Sequence, residues 1–107
     1  MVVGIMIAVN NISINLSTED SKSKAVLDFS SLNEVHEGDT IFLSIKENDI
    51  DLKCEVDTSL SNWLDWIVSS YNLKYSSIAT LSRDSSSLIV LGNNLDDLNI
   101  QLDLGGD

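Results

Sequence analysis

A chain of 107 residues, 43% of them hydrophobic, is long enough for one self-sufficient core and too apolar to stay disordered. Its 17 acids against six bases give a net charge of −11, which argues against direct contact with nucleic acid or an anionic membrane, since Lys and Arg make those contacts. The single cysteine, Cys54, excludes an internal disulfide and a cysteine zinc site, and it fits a reducing compartment.

In chain order, Val2 to Val9 reads as a strand buried on both faces, with Gly4 marking a bulge. The run falls short of the ~20 apolar residues of a spanning helix. It also lacks the positive start of a signal peptide, the first base being Lys22, so a cytoplasmic protein is expected. Asn10-Asn11 suits a tight hairpin turn. Ile12, Ile14 and Leu16 alternate with polar residues, as a half-buried strand does; the alternative is one long bent strand through Leu16. Ser17 to Lys24 is polar and reads as a loop. Ala25, Leu27 and Phe29 predict a third strand. Ser30 to Asp39 is a longer connection, with Gly38-Asp39 turning into the next strand.

Ile41, Leu43 and Ile45, then Ile50, Leu52, Cys54 and Val56, predict a hairpin turning at Glu47-Asn48-Asp49. Period two puts Asp49, Asp51, Lys53, Glu55 and Asp57 together on its outer face. The spacing of Leu60, Trp63, Leu64, Ile67, Val68 and Tyr71 predicts an amphipathic helix over Thr58 to Asn72. Asp57, Thr58 or Ser59 offers an oxygen to cap its start, and Asn72 suits the left-handed residue after its last turn. Trp66 falls roughly 120° from Leu60 on the helical wheel, beside Asp65. It either packs under a neighbouring segment or anchors a partner, tryptophan being enriched at interface hot spots.

Tyr75 to Ser82 predicts another strand, Arg83 to Ser86 a turn, and Leu88 to Leu91 an apolar strand ended by Gly92-Asn93-Asn94. Leu98, Ile100, Leu102 and Leu104 alternate as a last half-buried strand. The expectation is a single α+β domain over 1–107: a mainly antiparallel, strongly curved sheet, as a sandwich or partial barrel, with one amphipathic helix over 58–72.

No catalytic pattern emerges. His36 sits in a polar loop between Glu34 and Glu37 and reads as a surface residue. Cys54 points inward on its strand and reads as a core filler. Asp49-Ile50-Asp51, Asp96-Asp97 and the acids from Asp103 to Asp107 lack the spacing of a calcium loop, and no glycine-rich phosphate loop is present. Neither an enzyme nor a cofactor is expected. The acids are unevenly spread. Eight acids and two lysines lie between Glu34 and Asp57, and five acids with no base follow from Asp84 onward. Adjoining in the fold, the two regions make one acidic face; apart, they are a solvated surface that needs no partner.

In size, acidity and lack of catalytic residues the chain resembles the small bacterial immunity proteins of the contact-dependent growth inhibition type. The resemblance is one of character and covers no motif. It implies an acidic binding protein that neutralises a cognate cationic toxin, a nuclease, by occluding its active site. Under that reading the basic protein partner meets Asp49, Asp51, Glu55, Asp57 and Trp66, with Asp96 and Asp97 as outer support. Two other readings use the same surface differently: a phage-type DNA mimic or anti-defence inhibitor, and a structural or chaperone subunit with an exposed apolar edge.

Overall fold

The computed structural model describes residues 5–9, 12–32, 34–75 and 77–105, with side chains from Ile12 onward. Strands β1 (Ile5–Val9), β2 (Ile12–Glu19) and β3 (Lys22–Asp28) come first, followed by the short β4 (Glu34–Val35). The hairpin β5 (Thr40–Ile45) and β6 (Asn48–Lys53) comes next, then β7 (Thr58–Ser59) and the helix α1 (Leu60–Lys74). A second hairpin, β8 (Ala79–Asp84) and β9 (Ser87–Gly92), and the strand β10 (Ile100–Gly105) complete the order. One sheet runs β1-β2-β3-β9-β8, a second runs β10-β5-β6, and β4 pairs with β7. Every pairing is antiparallel.

Alternation decides which faces are buried. Ile12, Ile14, Ala25, Leu27, Leu88, Val90, Ala79 and Leu81 line the inner face of the larger sheet, and Ile41, Leu43, Ile45, Ile50 and Leu102 that of the smaller. All belong to one core, with Leu64, Ile67 and Tyr71 of α1 among them. The sheets pack as an open sandwich, the first of the two expected forms; they do not close into a barrel.

The helix closes one side of that sandwich. It buries Leu60, Trp63, Leu64, Ile67 and Tyr71, and the Ser59 hydroxyl caps it by accepting from the Asn62 N–H at 3.2 Å. A cap of this kind is worth about 1 kcal/mol. The helix begins and ends two residues later than expected, because Thr58 and Ser59 are taken by pairing with Val35 and Glu34. Asn72 therefore lies inside the helix rather than after it. Its side chain donates to the Leu81 carbonyl at 2.8 Å and accepts from the Leu81 N–H at 2.9 Å, satisfying the free edge of β8. At the other edge the Tyr75 hydroxyl donates to the Asp49 carbonyl of β6 at 2.8 Å. The helix and the residue that ends it thus bond to a free edge of both sheets.

Other boundaries move for identifiable reasons. The polar run Ser17 to Lys24 is the tip of a hairpin, not a loop. Asp20 and Ser21 take φ of 50° and 62°, the left-handed pair of a two-residue turn whose twist matches the flanking strands. The β5–β6 turn falls at Lys46-Glu47, one to two residues early, with Lys46 at φ 57°. Strand β8 starts at Ala79 and runs on through Arg83 and Asp84, so the turn narrows to Ser85-Ser86. The expectations for Gly4 and Asn10-Asn11 fall outside the described residues.

Candidate functional site

Acids that are distant in sequence become neighbours through β5. Asp103 on β10 and Asp51 on β6 both stand opposite Phe42, one on each side. Period two then places Asp49, Asp51, Asp103 and Phe42 on the outer face of the smaller sheet, with Lys53 at its margin. Asp49, Asp51 and Asp103 are exposed and Phe42 is half-buried between them. No ion pair engages these three carboxylates among the described residues.

Beyond Lys53 the strand ends, so the expected single row from Asp49 to Asp57 does not continue. The chain bends instead and is laced to the loop after β4. Gly38 donates to the Cys54 carbonyl at 2.9 Å, and Cys54 donates to the Asp39 carbonyl at 2.7 Å. The Asp57 carboxylate accepts from the Glu37 N–H at 2.9 Å, so it holds the loop together as well as facing solvent. This places Glu34, Glu37, Glu55 and Asp57 on laced neighbouring segments at the start of α1. The bend also turns Val56 out to 67% exposure, although the alternation with Cys54 had placed it inward.

Between this bend and the helix lies a groove of about 240 Å³, lined by Cys54, Glu55, Val56, Thr58, Asn62, Trp63 and Trp66. Trp66 is 40% exposed. It belongs to an outward stripe of Asn62, Trp66, Ser69 and Leu73, all exposed, at the i, i+4, i+7, i+11 spacing of one helix face. Trp63 behind it is buried, and its indole N–H has no acceptor among the described residues. Cys54 is buried, as the alternation implied, and its thiol donates to the Val56 carbonyl at 2.9 Å.

No known protein family, curated protein or solved structure matches this chain. Function rests on the site alone.

The remaining predicted residues divide. Asp96 pairs with Lys46 at 3.4 Å beside the β5–β6 turn, so its charge is partly answered within the chain. Asp97 accepts from the Asn99 N–H at 3.0 Å and shares a shallow surface depression with Lys46 and Glu47. The pair lies at the opposite end of β6 from the groove. Asp49 and Asp51 therefore share one face, Glu55 and Trp66 share the groove, Asp57 flanks it, and Asp96 and Asp97 stand apart. Phe42, Asp103 and Val56 were missed. The first two become neighbours only once β10 pairs with β5, which no local pattern signals; Val56 follows a period that the bend interrupts.

His36 is exposed, 3.6 Å from Glu34 and 4.0 Å from Asp39, in keeping with a surface residue. Burial pushes the Tyr71 phenol up, and the Asn48 amide, near it but outside hydrogen-bond geometry, offsets only part of this. The Tyr71 hydroxyl and Asn48 Nδ2 both lack a hydrogen-bond partner among the described residues. Asp28 is held below the usual carboxylate range, chiefly by the Ser30 N–H that donates to it at 2.9 Å.

Proposed function

We propose that this chain is an acidic inhibitor that neutralises a cationic protein toxin, a nuclease, by covering its active site, in the manner of an immunity protein. The supporting observation is the row Asp103-Phe42-Asp51, which sets one acid of the C-terminal region beside Asp49 and Asp51 with an aromatic side chain between them. Nuclease active sites present Lys and Arg to phosphate, so unpaired carboxylates on a rigid sheet meet complementary charge. Such complementarity raises association toward 10⁸–10⁹ M⁻¹ s⁻¹ at low salt, roughly a hundredfold or more above uncharged pairs. Aromatic side chains such as Phe42 and Trp66 then supply the buried contacts that slow dissociation. Phe42 and Lys53 interrupt the acids, which suits a protein partner better than a surface that imitates a run of phosphates.

The test is capture on the immobilised chain from a lysate of its native host, followed by a nuclease assay on the eluted protein with and without added chain. The expected partner is basic, its cleavage of nucleic acid is suppressed, and its association rate falls steeply between low and physiological salt. A partner without basic character, or an affinity indifferent to ionic strength, refutes the reading.

A further inference from the structure

The groove beside Trp66 has a composition of its own. Among the described residues its walls are mostly apolar, Glu55 is its only charged lining residue, and Glu55 has no ion-pair partner. At about 240 Å³ it is smaller than the ~300–1,000 Å³ of typical small-molecule sites. One side chain of another protein is a better match in scale than a metabolite. Most of the surrounding charges are negative. Asp57 lies two residues along from Glu55, and Glu34 and Glu37 sit on the segment laced to it. On the helix side Asp65 is already bonded to Arg83. The nearest base along the strand is Lys53, which belongs to the outer sheet face rather than to the groove.

We propose that this groove seats an arginine side chain of a basic polypeptide partner, an assignment that rests on the cationic-partner reading above and names its anchor. The partly exposed indole of Trp66 offers a flat face on which a planar guanidinium stacks, an attraction that strengthens as water leaves. The Glu55 carboxylate receives the guanidinium N–H fork from the side. Val56, 67% exposed, loses apolar surface to the methylene stem of the same side chain. Lysine meets the charge requirement, but its compact ammonium neither stacks nor forks, so arginine is preferred. The groove and the Asp103-Phe42-Asp51 face follow one another along β6 and its continuation, with Asp51 and Glu55 four residues apart.

The probe is the tripeptide acetyl-Gly-Arg-Gly-amide, with citrulline in place of arginine as the uncharged control, titrated into the full ¹⁵N-labelled chain. The two indole N–H signals are assigned with Trp66→Phe. The expected result is a saturable shift of the Trp66 signal with a dissociation constant on the order of 1–10 mM. Binding is expected to weaken roughly threefold in Glu55→Gln, to be unchanged in Glu19→Gln at the remote β2–β3 hairpin tip, and to vanish with citrulline. Absence of a saturable shift, equal affinity for citrulline, or equal affinity in Glu55→Gln overturns the assignment. These outcomes do not depend on whether a toxin is ever captured. Conversely, capture of a basic nuclease that binds Trp66→Ala as tightly as the parent overturns the groove while leaving the acidic-face reading intact.

Discussion

Replacing Asn72 tests the seam between helix and sheet directly. Its amide makes two hydrogen bonds to the edge of β8, at 2.8 and 2.9 Å, and both ends lie in partly buried surroundings. Asn72→Ala removes both, at about 0.5–1.5 kcal/mol each. Alanine regains roughly 0.5 kcal/mol as the better helix former. The expected net loss is about 0.5–2.5 kcal/mol, or a Tm lower by roughly 2–11 °C for a chain of this length. Asn72→Asp separates the two bonds. The acceptor for the Leu81 N–H is kept, but the donor becomes a carboxylate oxygen facing the Leu81 carbonyl. That repulsion raises the introduced carboxyl above its ordinary value of about 3.9. A raised acid favours the folded state where it is protonated, so the deficit relative to the parent is small near pH 4 and grows as pH rises through the folded-state value. Urea unfolding followed by tryptophan fluorescence, with the parent measured beside each variant at pH 4 and pH 7, reads the effect. An Asn72→Ala loss below about 0.5 kcal/mol, or an Asn72→Asp deficit that is the same at both pH values, refutes the reasoning.

Tyr71→Phe should leave stability within about 1 kcal/mol of the parent or raise it, because the hydroxyl it deletes is buried and unpaired among the described residues; calorimetry giving a loss well beyond that would mean the hydroxyl has a partner. Asp20→Asn combined with Ser21→Gly should stabilise the chain by roughly 0.5–1 kcal/mol, since both positions are left-handed, and a lower urea midpoint would contradict this. Gly92→Ala should cost about 1–3 kcal/mol. Its methyl would lie 3.0 Å from Leu98 Cδ2 and 3.3 Å from the backbone oxygens of Asn94 and Ser23, and those two oxygens cannot move aside as a side chain can; an unchanged Tm would show that the strand shifts freely. Asp28 titrates below its usual 3.8 in the folded chain, so its contribution is present above that value and lost as pH falls through the lower folded-state value. Asp28→Asn should therefore flatten the acid limb of the stability curve slightly, and an identical limb in both proteins would remove this explanation.

Elements with one wet face and one dry face were legible. The alternation of Ile41, Leu43 and Ile45 and the wheel from Leu60 to Tyr71 both describe surfaces that meet a core, and burial follows them except at Val68, which is half-buried. The hairpin tip at Asp20-Ser21 was not, because it projects past the core: its ladder is held by backbone bonds, and its polar side chains carry no burial signal. Pairing partners were equally hidden. Lys24 stands opposite Leu91 and Asp103 opposite Phe42, contacts set by how whole sheets assemble. The candidate site divides along the same line. Trp66 was found because a helical wheel needs only neighbouring residues, whereas the Asp103-Phe42-Asp51 row needed long-range register. Val56 was misplaced because the bend after Lys53 follows from lacing to Gly38 and Asp39, a tertiary constraint.

The outward stripe of Asn62, Trp66, Ser69 and Leu73 has a consequence for how such a molecule changes over generations. None of the four is part of the core, and Leu73 is 92% exposed. Exchanges at surface positions of this kind typically shift stability by no more than about 0.5 kcal/mol. The demands of packing fall elsewhere on the same helix, on Ile67, Tyr71 and Asn72, which hold the sheets together. That face is thus free to change one exposed side chain at a time while the architecture beneath is inherited unaltered.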